Sequence, residues 1–249
     1  MDGDKVCFII AHKYVKGYRS FLKFYIENII KFYGDKALVL VVDNDSPYKD
    51  EVFDAIPQRK NIVFLDNQIA CKFEIGGYQV GMKYVLENNL TDDYHYYVCT
   101  QDTFIIRNKF DFNTLLKEEV EACPINSMFP SDGECGDIVG EVLTNLGLYN
   151  NMERITFCWA NSFIVSNKKL LQLYGFLSKI TVTKKAESQA SERYLARILA
   201  ELNDYDHTDI DGDLRTQNQR HYDCHTVDPY SESKSFFVKT IQNKNQHHR

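Results

Sequence analysis

The chain has 249 residues, enough for one large domain or two small ones. Its hydrophobic fraction of 44% can fill a core, and its net charge of -6 argues against a nucleic acid polymer as partner, which needs a basic face. No apolar run reaches about 18 residues and no charged-then-apolar leader is present, so neither a membrane span nor a signal peptide is expected. The seven cysteines are an odd, scattered set without a CxxC pair, which fits reduced thiols and a cytoplasmic location. Sixteen Tyr and sixteen Phe suit a core, and also platforms for sugar rings.

In chain order, residues 6–11 (VCFIIA) read as a buried strand ended by the polar break His12-Lys13-Tyr14. Residues 21–32 carry apolar side chains at helical spacing and stop at Gly34-Asp35. Residues 37–42 (ALVLVV) form a second buried strand, ending at Asp43-Asn44-Asp45-Ser46-Pro47. Strand, helix, strand is a βαβ unit with parallel strands. Residues 51–56 suggest a short helix, 61–65 (NIVFL) a third strand, and Gly76-Gly77 the entry to another helix. Residues 96–99 end a fourth strand, Thr100-Gln101-Asp102 break it, and Phe104-Ile105-Ile106 resume the apolar run. Residues 110–122 read as a charged helical excursion, and 124–140 as a Pro- and Gly-bearing loop. Residues 155–166 (ITFCWANSFIVS) read as a strand or hairpin, and 167–176 as a helix with Leu170, Leu171 and Tyr174 inward. Residues 181–188 read as a polar connection, 190–202 as an amphipathic helix, and the remainder as a polar tail.

In a parallel sheet the polar ends of the four strands point to one edge, where open α/β sheets gather ligands. Asp102 stands out there. A carboxylate inside an apolar run is costly unless paired, and a divalent cation would pair it; a turn cap is the plainer alternative. Asp43 and Asn44 could grip a nucleoside, or form an Asx turn before Pro47. Lys13 could reach a phosphate or be solvated, and the backbone at Ala11–Lys13 could hold a base. Gly76 and Gly77 would allow close approach of a ligand or serve an ordinary helix entry.

Four stretches resemble the nucleotide-sugar glycosyltransferases of the GT-A fold. Residues 41–46 (VVDNDS) are similar to that family's VDDxS or VDNxS segment. Thr100-Gln101-Asp102 falls where its DxD motif falls, Ser191-Glu192-Arg193 where its catalytic base falls, and residues 73–81 (FEIGGYQVG) are similar to a GxxGGxNxG stretch of rhamnosyltransferase-like members. The resemblance spans roughly residues 5–202. It implies an α/β fold, a single GT-A-type Rossmann-like domain with a mostly parallel sheet flanked by helices. Residues 1–107 would form its nucleotide-sugar half, 108–205 its acceptor half and 206–249 a C-terminal extension. The activity implied is hexosyltransferase-like transfer from a nucleoside-diphosphate sugar, UDP-linked, to a glycan or glycoprotein hydroxyl.

The resemblance implies Asp102 as ligand to Mn²⁺ or Mg²⁺, and Thr100, in place of the first acid, as a ribose contact. It implies donor contacts from Ala11, His12, Lys13, Asp43, Asn44, Gly76, Gly77, Gln101 and Asp102, and Glu192 as general base. Glu192 in a first helical turn would equally complement the helix dipole. Trp159 and Asn161, read on an apolar strand, are candidates for the acceptor site, although a lone Trp also suits a core. His207, His221 and His225 invite a zinc site or a share in the catalytic metal shell. The alternatives are an inactive carbohydrate- or nucleotide-binding module of the same fold, and a sugar nucleotidyltransferase. The latter normally has a Gly-rich basic loop where this chain has AHKYVKGYR.

Overall fold

The computed structural model describes residues 4–17, 20–109, 112, 120–125, 127–128, 136–148, 157–203 and 237–239. The expected alternation of buried runs and amphipathic segments becomes strands β1 (Val6–His12), β2 (Ala37–Asp43), β3 (Ile62–Asp66) and β4 (Tyr96–Gln101). Between them run helices α1 (Leu22–Tyr33), α2 (Asp50–Phe53) and α3 (Phe73–Glu87). These four strands are mutually parallel. Strand β9 (Phe163–Ser166) pairs antiparallel with β4, and β6 (Ala122–Pro124) antiparallel with β9. The sheet order is β3-β2-β1-β4-β9-β6, a mixed, mostly parallel α/β sheet that draws strands from both halves of the chain.

Strands β1 and β2 are buried along their whole length, which is why they read as unbroken apolar runs. Alternate residues still choose faces. Val6, Phe8 and Ile10 pack with Leu22, Tyr25, Ile26 and Ile29 of α1, and with Val52 of α2. Cys7, Ile9 and Ala11 pack with Ile75, Tyr78 and Met82 of α3. The same layer holds α4 (Gly136–Asn145), α5 (Asn167–Leu177) and α6 (Lys185–Asn203). Helix α3 lies close on β1. A Cβ built on Gly81 would sit 2.4 Å from Ile9 Cγ2, and one on Gly77 2.9 Å from the Ala11 Cβ.

Several expectations are corrected. Helix α3 starts before the glycine pair, at Phe73, a residue with φ of 58°. Phe104–Ile106 leaves the main sheet as β5 and pairs with β10 (Phe237–Lys239). Within residues 155–166, β8 (Phe157–Cys158), paired with β7 (Ser127–Met128), is followed by a 3₁₀ turn at Trp159–Asn161 and then β9. Trp159 and Asn161 therefore sit on a turn, not a strand; Ala160 and Asn161 have φ of 54° and 52°. On α5 the inward residues are Leu170, Leu173 and Leu177, while Leu171 is 65% exposed. Helix α6 begins at Lys185, within the stretch read as a polar connection. Val182 just before it is buried, and its carbonyl accepts the Lys72 amide at 2.6 Å. Among the described residues no helix is long and apolar enough to cross a membrane.

Candidate functional site

The strand order reverses between β1 and β4: β2 and β3 lie to one side of β1, and β4 and its antiparallel neighbours to the other. Helices α1 and α2 cover one face and α3 the opposite one. A crevice opens beyond the carboxyl ends of β1 and β4, the edge at which open α/β sheets gather ligands. A cavity of about 460 Å³ occupies that crevice, within the range of small-ligand sites. Ala11, His12 and Lys13 from the end of β1, and Gln101 and Asp102 from the end of β4, line it. Asn44 and Asp45 contribute from the β2 side, and Lys72, Phe73 and Glu74 from the start of α3.

His12 and Asp102 form the floor. The His12 ring is fully buried, and its Nδ1 lies 2.6 Å from Asp102 Oδ2. That oxygen also accepts the Lys13 amide at 3.2 Å, while the Asp102 amide donates to the Ala11 carbonyl at 3.0 Å. The carboxylate that looked expensive in the sequence is thus stabilised by a charge-assisted bond and a backbone donor. Both bonds fall on Oδ2, so Oδ1 is the oxygen left for a ligand. With Nδ1–H donating to Asp102, His12 turns Nε2 toward Asp43 Oδ1, 3.9 Å away; among the described residues neither atom has a hydrogen-bond partner. Asp43 Oδ2 accepts the Ser46 amide, three residues on, at 2.7 Å, so the carboxylate closes the loop after β2 on itself.

The β2 side is held by amides. Asn67 Nδ2 donates to Asn44 Oδ1 at 2.7 Å and to the Cys71 carbonyl at 2.9 Å. Lys13 Nζ donates to the Asn44 carbonyl at 2.6 Å and also to that of Asp45, a left-handed residue with φ of 61°. Tyr14 N donates to Ser46 Oγ at 2.8 Å. The loop after β1 is thereby tied to the loop after β2.

The opposite wall is built by α3 and α6. Glu74 accepts Gln101 Nε2 at 2.7 Å and Ser188 Oγ at 3.1 Å. Thr183 lines the rim, where the Glu187 carboxylate caps α6 by accepting the Thr183 and Lys184 amides at 2.7 Å and 3.0 Å. Those amides, Thr183 first, hold the Glu187 carboxyl below its ordinary range. Burial pushes the Cys71, Cys99 and Cys158 thiols upward, so these cysteines are neutral packing groups rather than nucleophiles.

Of the residues singled out in the sequence, Ala11, His12, Lys13, Asn44, Gln101 and Asp102 meet at the cavity, with Asp43 buried beneath it. The others lie elsewhere. Thr100 is fully buried and shares a 3.0 Å hydrogen bond with the Tyr25 hydroxyl. Gly76 and Gly77 face protein atoms: a Cβ on Gly76 would meet the Cys71 carbonyl oxygen at 2.1 Å. Glu192 does not open its helix; it lies two turns into α6, and its Oε1 accepts the Ala160 amide at 2.9 Å. The Asn161 side chain is engaged by Ser188 and Ser191, and Trp159 packs against the apolar layer beneath α1. His207, His221 and His225 lie outside the described residues. Glu74 was missed; its sequence signal was an acid in FEIGG, two residues before the glycine pair.

Among the described residues no three His, Cys, Asp or Glu side chains converge as a metal site. Asp45, Glu74 and Asp102 are the carboxylates that line the cavity and could meet a hard cation. No protein-family model matches the chain, and none of the curated proteins compared with it matches its sequence.

Proposed function

We propose that the chain is a nucleotide-sugar-dependent glycosyltransferase of the GT-A type, moving a sugar from a UDP-linked donor to a hydroxyl of a glycan or glycoprotein. The observation that carries this reading is Asp102, a carboxylate held by His12 at the end of β4, in a cavity at the point where strand order reverses.

The charges around the cavity bear on the metal. Lys13 and Lys72 line it with Asp45, Glu74 and Asp102, and both ammonium groups already donate to backbone carbonyls. Two occupied cations against three carboxylates do not favour a bare diphosphate. Asp102, through Oδ1, is the residue that would hold a divalent cation, which would supply positive charge for the departing diphosphate. Asn44, Asp45 and the backbone at Ala11–Lys13 would receive the nucleoside. The acceptor oxygen forms its bond to the anomeric carbon as the bond to the diphosphate oxygen breaks, that electron pair staying on the diphosphate. The hydroxyl proton would go to Glu192, which does not line the cavity but stands one helical turn along α6 from the wall residue Ser188, so the acceptor would approach from that side.

A second reading is a binding module of the same fold without chemistry, favoured by the engagement of Glu192 with Ala160 and by the burial of Thr100. Donor breakdown separates the two. With a panel of nucleotide sugars and Mn²⁺, an enzyme releases the free sugar or diphosphate, and Asp102→Ala abolishes the release. A chain that binds UDP with Mn²⁺ and never turns over its donor is the module.

A further inference from the structure

The cavity has a second carboxylate that no step above uses. Glu74 stands in the first turn of α3, and its two oxygens are held from opposite sides, by Gln101 Nε2 at 2.7 Å and by Ser188 Oγ at 3.1 Å. Ser188 is buried on α6, and Gln101 is the residue before Asp102 on β4. The Glu74 side chain is thus fixed in place by both walls. A carboxylate offers about four lone-pair sites, so about two remain after these bonds. Fixed acceptors of this kind recognise hydroxyl groups without a further ordering cost.

Its place along the cavity indicates what it would meet. Gln101 links Asp102 to Glu74 directly, so a group attached to a phosphate at Asp102 and extending toward α3 arrives at Glu74. Asn44 and Asp45 stand on the other side, beyond β1 in the sheet order. On the glycosyltransferase reading, a diphosphate at Asp102 would have its nucleoside toward β2 and its sugar toward Glu74. Phe73, beside Glu74 on the cavity wall, adds an aromatic surface suited to a sugar ring. A fixed negative charge at this point attracts hydroxyl hydrogens and repels a second carboxylate.

Resting on the glycosyltransferase reading, we propose that Glu74 is the sugar-reading residue of the cavity and selects neutral, hydroxyl-bearing donor sugars against uronic acids. Neither the glycines of FEIGG nor the DxD-like segment supplies this discrimination.

The test measures affinities of UDP, UDP-glucose, UDP-galactose, UDP-N-acetylglucosamine and UDP-glucuronate, each with Mn²⁺, for the wild type, Glu74→Gln and Glu74→Ala. The wild type binds at least one neutral UDP-sugar more tightly than it binds the uronate. Glu74→Ala weakens that neutral sugar by about tenfold to a hundredfold, the scale of a charged hydrogen bond, and leaves UDP within about twofold. Glu74→Gln, nearly isosteric, narrows the preference over the uronate by about tenfold. An unchanged ratio of sugar-nucleotide to UDP affinity in both variants overturns the proposal, as does wild-type binding of the uronate as tight as that of every neutral sugar. Failure of UDP itself to bind the wild type overturns the glycosyltransferase reading and this assignment with it.

Discussion

Gly76→Ala tests whether the seat of α3 positions the cavity wall. A Cβ at residue 76 would stand 2.1 Å from the Cys71 carbonyl oxygen, 2.6 Å from its carbon and 2.7 Å from Asn67 Nδ2. Two of these are backbone atoms, so no rotamer change relieves the clash, and the first turn of α3 must shift by roughly 1 Å to restore normal contact. Alanine gains about 1 kcal/mol of helix propensity over glycine. Overpacking costs about 1–3 kcal/mol. The shift also strains the two Asn67 Nδ2 bonds, to Asn44 and to Cys71, each worth about 1 kcal/mol. The net loss is about 2 kcal/mol, a fall in Tm of about 4–8 °C for a chain of this size. Gly175→Ala is the internal control: it lies in α5 with nothing within 4 Å of the added Cβ, and gains up to about 1 kcal/mol. Thermal denaturation followed by circular dichroism reads both variants. Equal melting temperatures for Gly76→Ala and the wild type would refute the reasoning, because they would show that α3 is free to slide and does not fix Glu74 opposite Asp102.

Other substitutions probe separate contacts. His12→Asn places an amide nitrogen near the position of Nδ1 and keeps the bond to Asp102, whereas His12→Gln does not; Mn²⁺-dependent UDP affinity should fall about tenfold to a hundredfold in the Gln variant and only severalfold in the Asn variant. Equal losses would show that His12 does not orient Asp102. Gln79 donates to the Leu177 and Ile180 carbonyls at 2.5 Å and 2.8 Å, so Gln79→Ala should cost about 1–3 kcal/mol in urea denaturation by removing the donor to the Ile180 oxygen, while the Leu177 oxygen keeps the Ile180 amide at 2.9 Å. A loss below about 0.5 kcal/mol would show that these bonds are dispensable. The Glu187 carboxyl titrates lower in the folded chain, so its contribution to stability is complete above the ordinary glutamate value of 4.5 and disappears as pH falls through the folded value. The difference in Tm between wild type and Glu187→Gln should therefore shrink from about pH 6 toward about pH 3; a difference independent of pH contradicts the capping role.

The parallel half of the sheet was legible because β1, β2 and β4 are buried on both faces and present unbroken apolar runs. Their polar ends were legible for the same reason, and six of the expected ligand residues meet there. Errors arose where a residue type serves two purposes. Gly76 and Gly77 resemble a helix entry, yet they sit inside α3 to let it approach Cys71 and Ala11. Residues 155–166 read as a strand or hairpin, yet Ala160 and Asn161 adopt positive φ and turn the chain between two strands that pair with other partners, which composition does not encode. Helix α6 starts five residues earlier than its apolar stripe because its first turn is stabilised by the Glu187 cap rather than by burial. Glu74 could not be ranked above the chain's other acids, because its role depends on Gln101 and Ser188, which lie 27 and 114 residues away.

The central claim is that Asp102 anchors a diphosphate through a divalent cation at the reversal point of the sheet. The most direct measurement is a crystal structure with UDP and Mn²⁺, the metal located by its anomalous signal. The account predicts Mn²⁺ at about 2.1–2.2 Å from Asp102 Oδ1 and from oxygens of the diphosphate, with uracil toward Asn44. UDP bound away from Asp102, or a metal coordinated without it, would contradict the account.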